Sequence, residues 1–140
     1  METILIKNLL AVVTQDERRR ILRGADILIE GNRIAKVGRE IGGAADQVID
    51  GRGMVAIPGL INCHTHISMA LLRGVADDME LMEWLETRIW PIESHLDAES
   101  VKKGALLGMM ESLLTGTTMI ADMYFFEDSI AEAAEEVGIR

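Results

Sequence analysis

Short apolar runs separated by polar turns fill the first part of the chain. The charged run at residues 14–20 is typical of an exposed hairpin tip, and Gly31-Asn32 between two apolar runs predicts a further hairpin. We therefore expect a small module of meandering β-strands over residues 1–57. The predicted strands lie at residues 3–13, 25–29, 33–37 and 47–50.

The pattern changes after the turn Pro58-Gly59. Residues 60–66 form a short apolar run that predicts a buried strand, and residues 117–121 are also strand-like. Strands that alternate with helices indicate the start of a βα repeat with a parallel sheet, so residues 58–140 are predicted to form an α/β unit. We expect one helix from Asp77-Asp78 to Pro91, a second from Asp97 to Gly116, and a third that ends at Gly138. The inward stripe of the second helix is predicted to comprise Val101, Ala105, Met109 and Leu113.

Composition favours a folded protein inside the cell. The chain has 140 residues, of which 49% are hydrophobic and 26% charged, and this composition excludes a disordered chain. The net charge of -9 argues against nucleic acid or an anionic membrane as a partner, and a single Cys excludes an internal disulfide. The acidic start at Met1-Glu2-Thr3 is unlike a signal peptide, and residues 55–75 are too interrupted to span a membrane. A cytoplasmic location is therefore expected.

His64 and His66 are the sharpest candidate site in the sequence. Side chains alternate along a strand, so these two imidazoles face the same way, about 6–7 Å apart along the backbone. Such a pair can bind one divalent cation, whereas Cys63 faces the opposite side and is expected to be packed. A His-x-His pattern also occurs by chance. Its place at the end of an apolar strand favours a metal site, because the active sites of parallel α/β barrels lie there.

Five other residues have alternative interpretations. Taken alone, Glu93 is an exposed charge that follows a helix. Trp84 and Trp90 could line a pocket, although aromatic residues on a helical stripe more often belong to the core. Asp122 ends a predicted strand, where capping or a structural hydrogen bond is the simplest role. His95 has no partner at ligand spacing and is expected at the surface or in a cap.

Several motifs, in order along the chain, resemble one enzyme family. The segment 50–66, in which Pro58-Gly59 leads to His64-Thr65-His66, resembles the start of the barrel in the amidohydrolase superfamily. Later motifs are similar to those of the methylthioadenosine/S-adenosylhomocysteine deaminases and the archaeal deoxyadenosine deaminases. They lie at residues 71–78, 82–85, 89–93, 116–118 and 121–124. The resemblance spans essentially all 140 residues.

The resemblance implies both a fold and a chemistry. Residues 1–57 would be the N-terminal part of a composite β-sandwich, and residues 58–140 the first βα units of a TIM-type (β/α)8 hydrolase barrel. His64 and His66 would be two ligands of one divalent metal ion, zinc or alternatively iron. The metal makes hydroxide available at neutral pH; hydroxide attacks the purine carbon that bears the amino group, and ammonia leaves. Glu93 matches a family residue that accepts hydrogen bonds from the ribose hydroxyls.

The same resemblance implies that the site in this chain is incomplete. The family's other metal ligands are two later His residues and an Asp, which is also the proton shuttle, and this chain has no counterpart of them. A complete barrel needs about 200–250 residues. We therefore expect no catalytic residue within the chain and no activity of the chain alone. We also expect that the chain self-associates or joins a missing C-terminal portion.

Two alternatives to a nucleoside deaminase remain open. The chain would be a non-enzymatic remnant or interaction module if it keeps the fold pattern without the chemistry. It would act on a free base or a triazine ring, as a chlorohydrolase does, if it follows other relatives with the same His-x-His. Glu93 favours a ribosyl substrate, since a free base has no diol to bind.

Overall fold

Two separate hydrophobic clusters organise the chain, one in each of two units, Met1–Pro58 and Gly59–Arg140. The structure is a computed structural model that describes all 140 residues. None of its helices combines the length and the apolar character needed to cross a membrane.

The first unit is a five-stranded sheet around its longest strand. Its strands are β1 Thr3–Val13, β2 Ile21–Glu30, β3 Arg33–Gly38, β4 Gln47–Asp50 and β5 Val55–Ala56. β2 pairs with β1 as far as Val13 opposite Ile21, so it starts earlier than the apolar pattern predicts. β3 completes the predicted hairpin, and Gly31 adopts a φ of +60° in its turn. β4 and the two-residue β5, which is too short to be predicted, pair with β1 in parallel.

A buried carboxylate braces this sheet. Asp26 is 4% exposed and lies beside the cluster of Leu9, Val12, Ala25 and Ile27. Its Oδ1 accepts the N–H of Asn8 at 2.8 Å, and its Oδ2 accepts the N–H of Ile41 at 2.9 Å. Asn8 lies where the register between β1 and β2 shifts, so the carboxylate binds an amide that the irregular ladder leaves free.

A β-sandwich requires a second sheet packed against the first. The first unit contains one sheet only. Its assignment to a composite sandwich therefore stays a prediction.

The second unit alternates strands and helices. It contains β6 Leu60–Thr65, a 3₁₀ segment Ile67–Leu72, a helix α1 over residues 81–93, α2 Ala98–Leu114, β7 Thr117–Asp122 and α3 Glu127–Val137. β6 and β7 pair in parallel, and the helices between them supply the crossover that parallel strands need. The mixed α/β architecture expected from the sequence is thus present. Closure into a barrel stays a prediction, because the sheet has two strands.

Helix α2 packs between the 3₁₀ segment and α3. Three residues of its predicted stripe, Val101, Ala105 and Met109, are fully buried, whereas Leu113 is 36% exposed. The helix comes close to the 3₁₀ segment at Gly108, where an added Cβ would lie 2.7 Å from the carbonyl oxygen of Ile67. The absence of a side chain is what allows this contact.

Two predicted ends of α1 are wrong. The helix begins at Leu81 with Glu80 as its N-cap, not at Asp77-Asp78, and it continues through Pro91 to residue 93. The helix continues past Pro91 because of a π-helical turn, Leu85–Ile89, in which the Trp90 N–H donates to the Leu85 carbonyl. In the turn after this widening the missing N–H of a proline is tolerated, so Pro91 does not stop the helix.

The strand predicted at residues 60–66 is present as β6, but the prediction that it is buried is wrong. Leu60 and Ile61 are 51% and 60% exposed, and Cys63, which was expected to be packed, is exposed too. Parallel strands are buried only when neighbouring strands and helices cover both faces, and β6 pairs with β7 alone.

Candidate active site

A cavity of 710 Å³ lies in the second unit beyond the carboxyl ends of β6 and β7. Its walls come from the end of β6, the start of the 3₁₀ segment, the loop after β7 and helix α1. This is the edge of a parallel sheet at which α/β enzymes bind their ligands. The lining residues are His64, His66, Met69, Leu81, Trp84, Leu85, Ile89, Trp90, Glu93, Met123, Tyr124 and Phe125.

The two imidazoles that the sequence singles out meet at the wall of this cavity. The ring centroids of His64 and His66 are 5.2 Å apart, with the ring planes inclined by 76°. His64 is exposed near the end of β6, and His66 follows the strand and is half-buried. The structure therefore brings together the pair that strand alternation predicts.

A hydrogen bond decides which nitrogen of His66 is available. Its Nδ1 lies 2.5 Å from the carbonyl oxygen of Met123. A carbonyl oxygen can only accept, so Nδ1 carries the proton and the neutral ring keeps its lone pair on Nε2. Metal-binding histidines are oriented by such a bond on their other nitrogen. His66 is thus set to present Nε2 as a ligand atom.

The donor chemistry of this pair fits zinc or iron, although the set is incomplete. Neutral imidazoles are favoured ligands of both metals, but a zinc site uses three or four protein ligands. No group of three or more His, Cys, Asp or Glu side chains in the chain is placed to hold an ion. His64 and His66 can therefore supply two ligands of such a site and no more.

Glu93 ends helix α1 and lines the same cavity. The hydroxyl of Tyr124 donates to Glu93 Oε1 at 2.7 Å. Burial, this hydrogen bond and the charge of Glu93 all raise the pKa of Tyr124, so the phenol is a protonated donor at neutral pH. The second carboxylate oxygen of Glu93 remains available as an acceptor.

Two tryptophans, for which the sequence left a pocket wall or the core open, lie at the cavity wall. Trp84 is half-buried and Trp90 is 47% exposed, and both line the cavity. The core position on this helix belongs to Ile89 instead, which is 1% exposed. The cavity therefore combines a polar end with a largely apolar and aromatic wall.

Asp122 and His95 have structural contacts. Asp122 Oδ1 accepts the N–H of Ile67 at 2.8 Å, which ties the end of β7 to the start of the 3₁₀ segment. Its Oδ2 is buried without a partner, and burial raises the pKa of this carboxyl group. His95 is exposed, lies outside the cavity, and places Nδ1 2.8 Å from the carbonyl oxygen of Pro91.

Sequence reasoning placed residues 121–124 in a family motif but assigned no site role to the loop that follows β7. Met123, Tyr124 and Phe125 all line the cavity, and the first two contact His66 and Glu93. The available signal was their position, since residues just after a strand of a parallel sheet lie at the ligand-binding edge.

A parallel α/β unit with two imidazoles at the carboxyl end of one strand, β6, is an arrangement typical of α/β enzymes. The sequence model of the amidohydrolase family matches residues 55–140. The chain belongs to this family of hydrolytic enzymes.

Its curated relatives are named as deaminases. The chain is 53% identical to a 5-methylthioadenosine/S-adenosylhomocysteine deaminase of Thermococcus kodakarensis over 138 residues. This matched region covers 99% of this chain and 32% of the relative. It is 52% identical to a 5'-deoxyadenosine deaminase of Methanothrix thermoacetophila over 120 residues. This matched region covers 86% of this chain and 29% of the relative. The chain thus spans about a third of the length of these relatives.

Solved structures with bound zinc share the fold. An adenosine deaminase from Xanthomonas campestris matches with a TM-score of 0.88 and 34% identity, over 98% of this chain and 32% of that one. An atrazine chlorohydrolase from Arthrobacter aurescens matches with a TM-score of 0.83 and 35% identity, over 98% of this chain and 34% of that one. Zinc in both neighbours supports a divalent metal for this family.

Proposed function

We propose that the chain is the N-terminal portion of a metal-dependent hydrolytic deaminase of adenine nucleosides. Methylthioadenosine, S-adenosylhomocysteine and 5'-deoxyadenosine, each of which carries a ribose diol, are the candidate substrates. The observation that carries the proposal is that His64, His66 and Glu93 line a single cavity. In the reaction, water replaces the amino group of the purine: its oxygen forms the new bond to carbon, the carbon–nitrogen bond breaks, and ammonia leaves. The names of the relatives support this reaction class.

The metal ligands of this chain are His64 and His66. They would hold one divalent ion, zinc or alternatively iron, together with ligands from outside the chain. A bound divalent ion lowers the pKa of water and supplies hydroxide at neutral pH. The contribution of the chain is to orient the imidazoles, which the Met123 carbonyl does for His66.

The sugar acceptor is Glu93. A carboxylate suits a diol, because its two oxygens accept two hydrogen bonds side by side. Trp84, Trp90 and Phe125 form the apolar wall that would contact the rest of the nucleoside and exclude water from the site. Substrate orientation is thus assigned to residues of this chain, and proton transfer is assigned to none of them.

Hydrolysis on a triazine ring or a free base is a second candidate, favoured by the similarity to the atrazine chlorohydrolase. Such substrates carry no diol, so Glu93 would have no role in binding them. A third alternative, a non-enzymatic remnant or interaction module, predicts no turnover in any context.

The experiment that tests the proposal is a chimera in which this chain replaces the matching segment of the Thermococcus kodakarensis relative. Ammonia release is measured with methylthioadenosine and 5'-deoxyadenosine, and triazine hydrolysis with atrazine. The chimera is expected to deaminate the nucleosides, and the 140-residue chain alone is expected to be inactive. His64→Asn and His66→Asn should each lower both zinc content and kcat/KM, by more than about 100-fold for kcat/KM. The exposed His95→Asn is the matched control and should change neither.

Each result distinguishes between the candidates. Hydrolysis of atrazine without nucleoside deamination would favour the second candidate, and zinc binding without any turnover would favour the remnant. Enzyme-like ammonia release by the isolated chain would contradict its expected inactivity. The cytoplasmic location stays a prediction.

A further inference from the structure

Tyr124 connects the loop after β7 to the C-terminal end of α1. Its hydroxyl donates to Oε1 of Glu93 at 2.7 Å, although the two residues are 31 positions apart in the chain. Both side chains are half-buried in the wall of the cavity. None of the ion pairs of the chain includes Glu93, so the phenol is the group that holds this carboxylate.

The backbone that carries Tyr124 is itself fixed. The N–H of Met123 donates to the carbonyl of Thr65 at 3.2 Å, and the N–H of Tyr124 donates to the carboxylate of Glu127. The Tyr124 ring also lies against Phe125, with centroids 5.1 Å apart. A phenol on a braced backbone can hold a flexible partner, because its own position is set by other contacts.

Without the hydrogen bond from Tyr124, the side chain of Glu93 would rotate around its three side-chain bonds. A ligand that binds such a side chain must order it, and this ordering weakens binding. We propose that Tyr124 is a positioning residue, which holds the Glu93 carboxylate toward the cavity so that its two oxygens can accept the sugar hydroxyls; Oε1 has a second lone pair beside the one that Tyr124 uses. This role rests on the proposed function, because it assumes that Glu93 binds the sugar of a nucleoside.

The first test measures the hydrogen bond without any need for activity. Tyr124 is the only tyrosine among the 140 residues, so the tyrosine doublet in an ultraviolet resonance Raman spectrum of this chain reports on its hydroxyl alone. We expect the spectrum of a phenol that donates to a carboxylate, and we expect Glu93→Ala to abolish that signature. Glu86→Ala is the matched control, because Glu86 is an exposed glutamate on the same helix and makes no contact with the Tyr124 hydroxyl. An unchanged spectrum in Glu93→Ala would overturn the proposal.

The second test measures the consequence for substrate binding, in the chimera described above. Tyr124→Phe keeps the ring and removes only the hydroxyl. We expect it to raise KM for methylthioadenosine about tenfold, as for a lost hydrogen bond to a charged group, with kcat within about twofold of the parent. In a Glu93→Ala background the same change should have no further effect, because the carboxylate that Tyr124 positions is absent there. Inhibition by free adenine, which has no sugar, should be unchanged.

The two proposals can fail separately. A zinc-loaded chimera that deaminates no nucleoside contradicts the proposed function, whatever the spectrum shows. A chimera that deaminates nucleosides with the same KM in Tyr124→Phe as in the parent contradicts the positioning role alone. Equal effects of Tyr124→Phe with and without Glu93→Ala would also overturn it, since they would show a role independent of Glu93.

Discussion

Three consecutive residues, the last of β7 and the two that follow it, each hold a different group near the cavity, and each uses a different kind of atom. Asp122 accepts the N–H of Ile67 with a carboxylate oxygen, Met123 orients His66 with its backbone carbonyl, and Tyr124 binds Glu93 with its hydroxyl. Because the contact to His66 is made by the backbone, the identity of side chain 123 does not determine it. The sequence specificity of this loop therefore lies in positions 122 and 124.

Asp26 allows a sharp test of a single hydrogen-bonding residue. Asp26→Asn preserves the shape of the side chain but turns one acceptor into a donor, which must then face the N–H of Asn8 or of Ile41. Since the site is buried, we expect a loss of about 1–3 kcal/mol in the free energy of unfolding, measured by urea denaturation.

Asp46→Asn is the matched control. Asp46 is exposed, and it binds both the N–H and the hydroxyl of Thr3 through Oδ2 alone, each at 2.8 Å. The amide oxygen of an asparagine can retain both bonds, so this variant should unfold close to the parent. Equal losses in the two variants would show that the charge of Asp26, and not its pair of acceptor atoms, is what stabilises the sheet.

At the scale of helices and strands, the sequence predicted those features that depend on interactions between residues close together in the chain. The N-cap of α2 is one example, because Asp97 accepts the N–H of Ser100 at 2.8 Å within the same turn. The path of α1 through Pro91 is a counter-example, since the π turn that permits it leaves no mark in the apolar periodicity. The residues of the candidate site also differ in how far local sequence patterns predicted them. Strand alternation predicted the pairing of His64 and His66, but Glu93 required the family resemblance.

The Asp97 cap leads to a prediction about pH. Hydrogen bonds from Ser100 hold the pKa of Asp97 below its ordinary value. The ionised cap therefore stabilises the folded chain above the unfolded-state pKa of about 3.9, and this contribution is lost as the pH falls through the lower folded-state value. Asp97→Ala should consequently be less stable than the parent at about pH 6, with the difference shrinking below about pH 4. Urea denaturation at a series of pH values measures it, and a gap independent of pH would contradict the linkage.

The contact between α2 and the 3₁₀ segment gives a second prediction at this scale. Alanine favours a helix over glycine by about 1 kcal/mol, yet a Cβ at position 108 would lie 2.7 Å from the Ile67 carbonyl. We expect the clash to prevail, so that Gly108→Ala lowers the free energy of unfolding by about 1–3 kcal/mol. Gly38→Ala is the control, because no atom lies within 4 Å of its added Cβ and stability should change by less than about 0.5 kcal/mol. If Gly108→Ala were more stable than the parent, α2 and the 3₁₀ segment could move apart without a loss of stability, and the prediction would be contradicted.

At the scale of the whole molecule, the second unit exposes apolar residues that its sheet does not cover. Ile61 and Met119 are register partners on β6 and β7 and are 60% and 44% exposed. Leu114, at the end of α2, is 86% exposed. Uncovered apolar surface beside open strand edges favours association.

The chain is therefore expected to self-associate, and the pair on the sheet is expected to contribute most of the contact. Ile61→Thr combined with Met119→Thr should raise the dissociation constant of the assembly at least about tenfold, since burying one such side chain contributes about 1.5–3 kcal/mol. Sedimentation velocity over a range of concentrations measures this change. Ile34→Thr is the control, because Ile34 is 66% exposed on β3 and lies outside the second unit. If the parent chain stays monomeric at every concentration, or if the control weakens association equally, the sheet of the second unit is not the surface that associates.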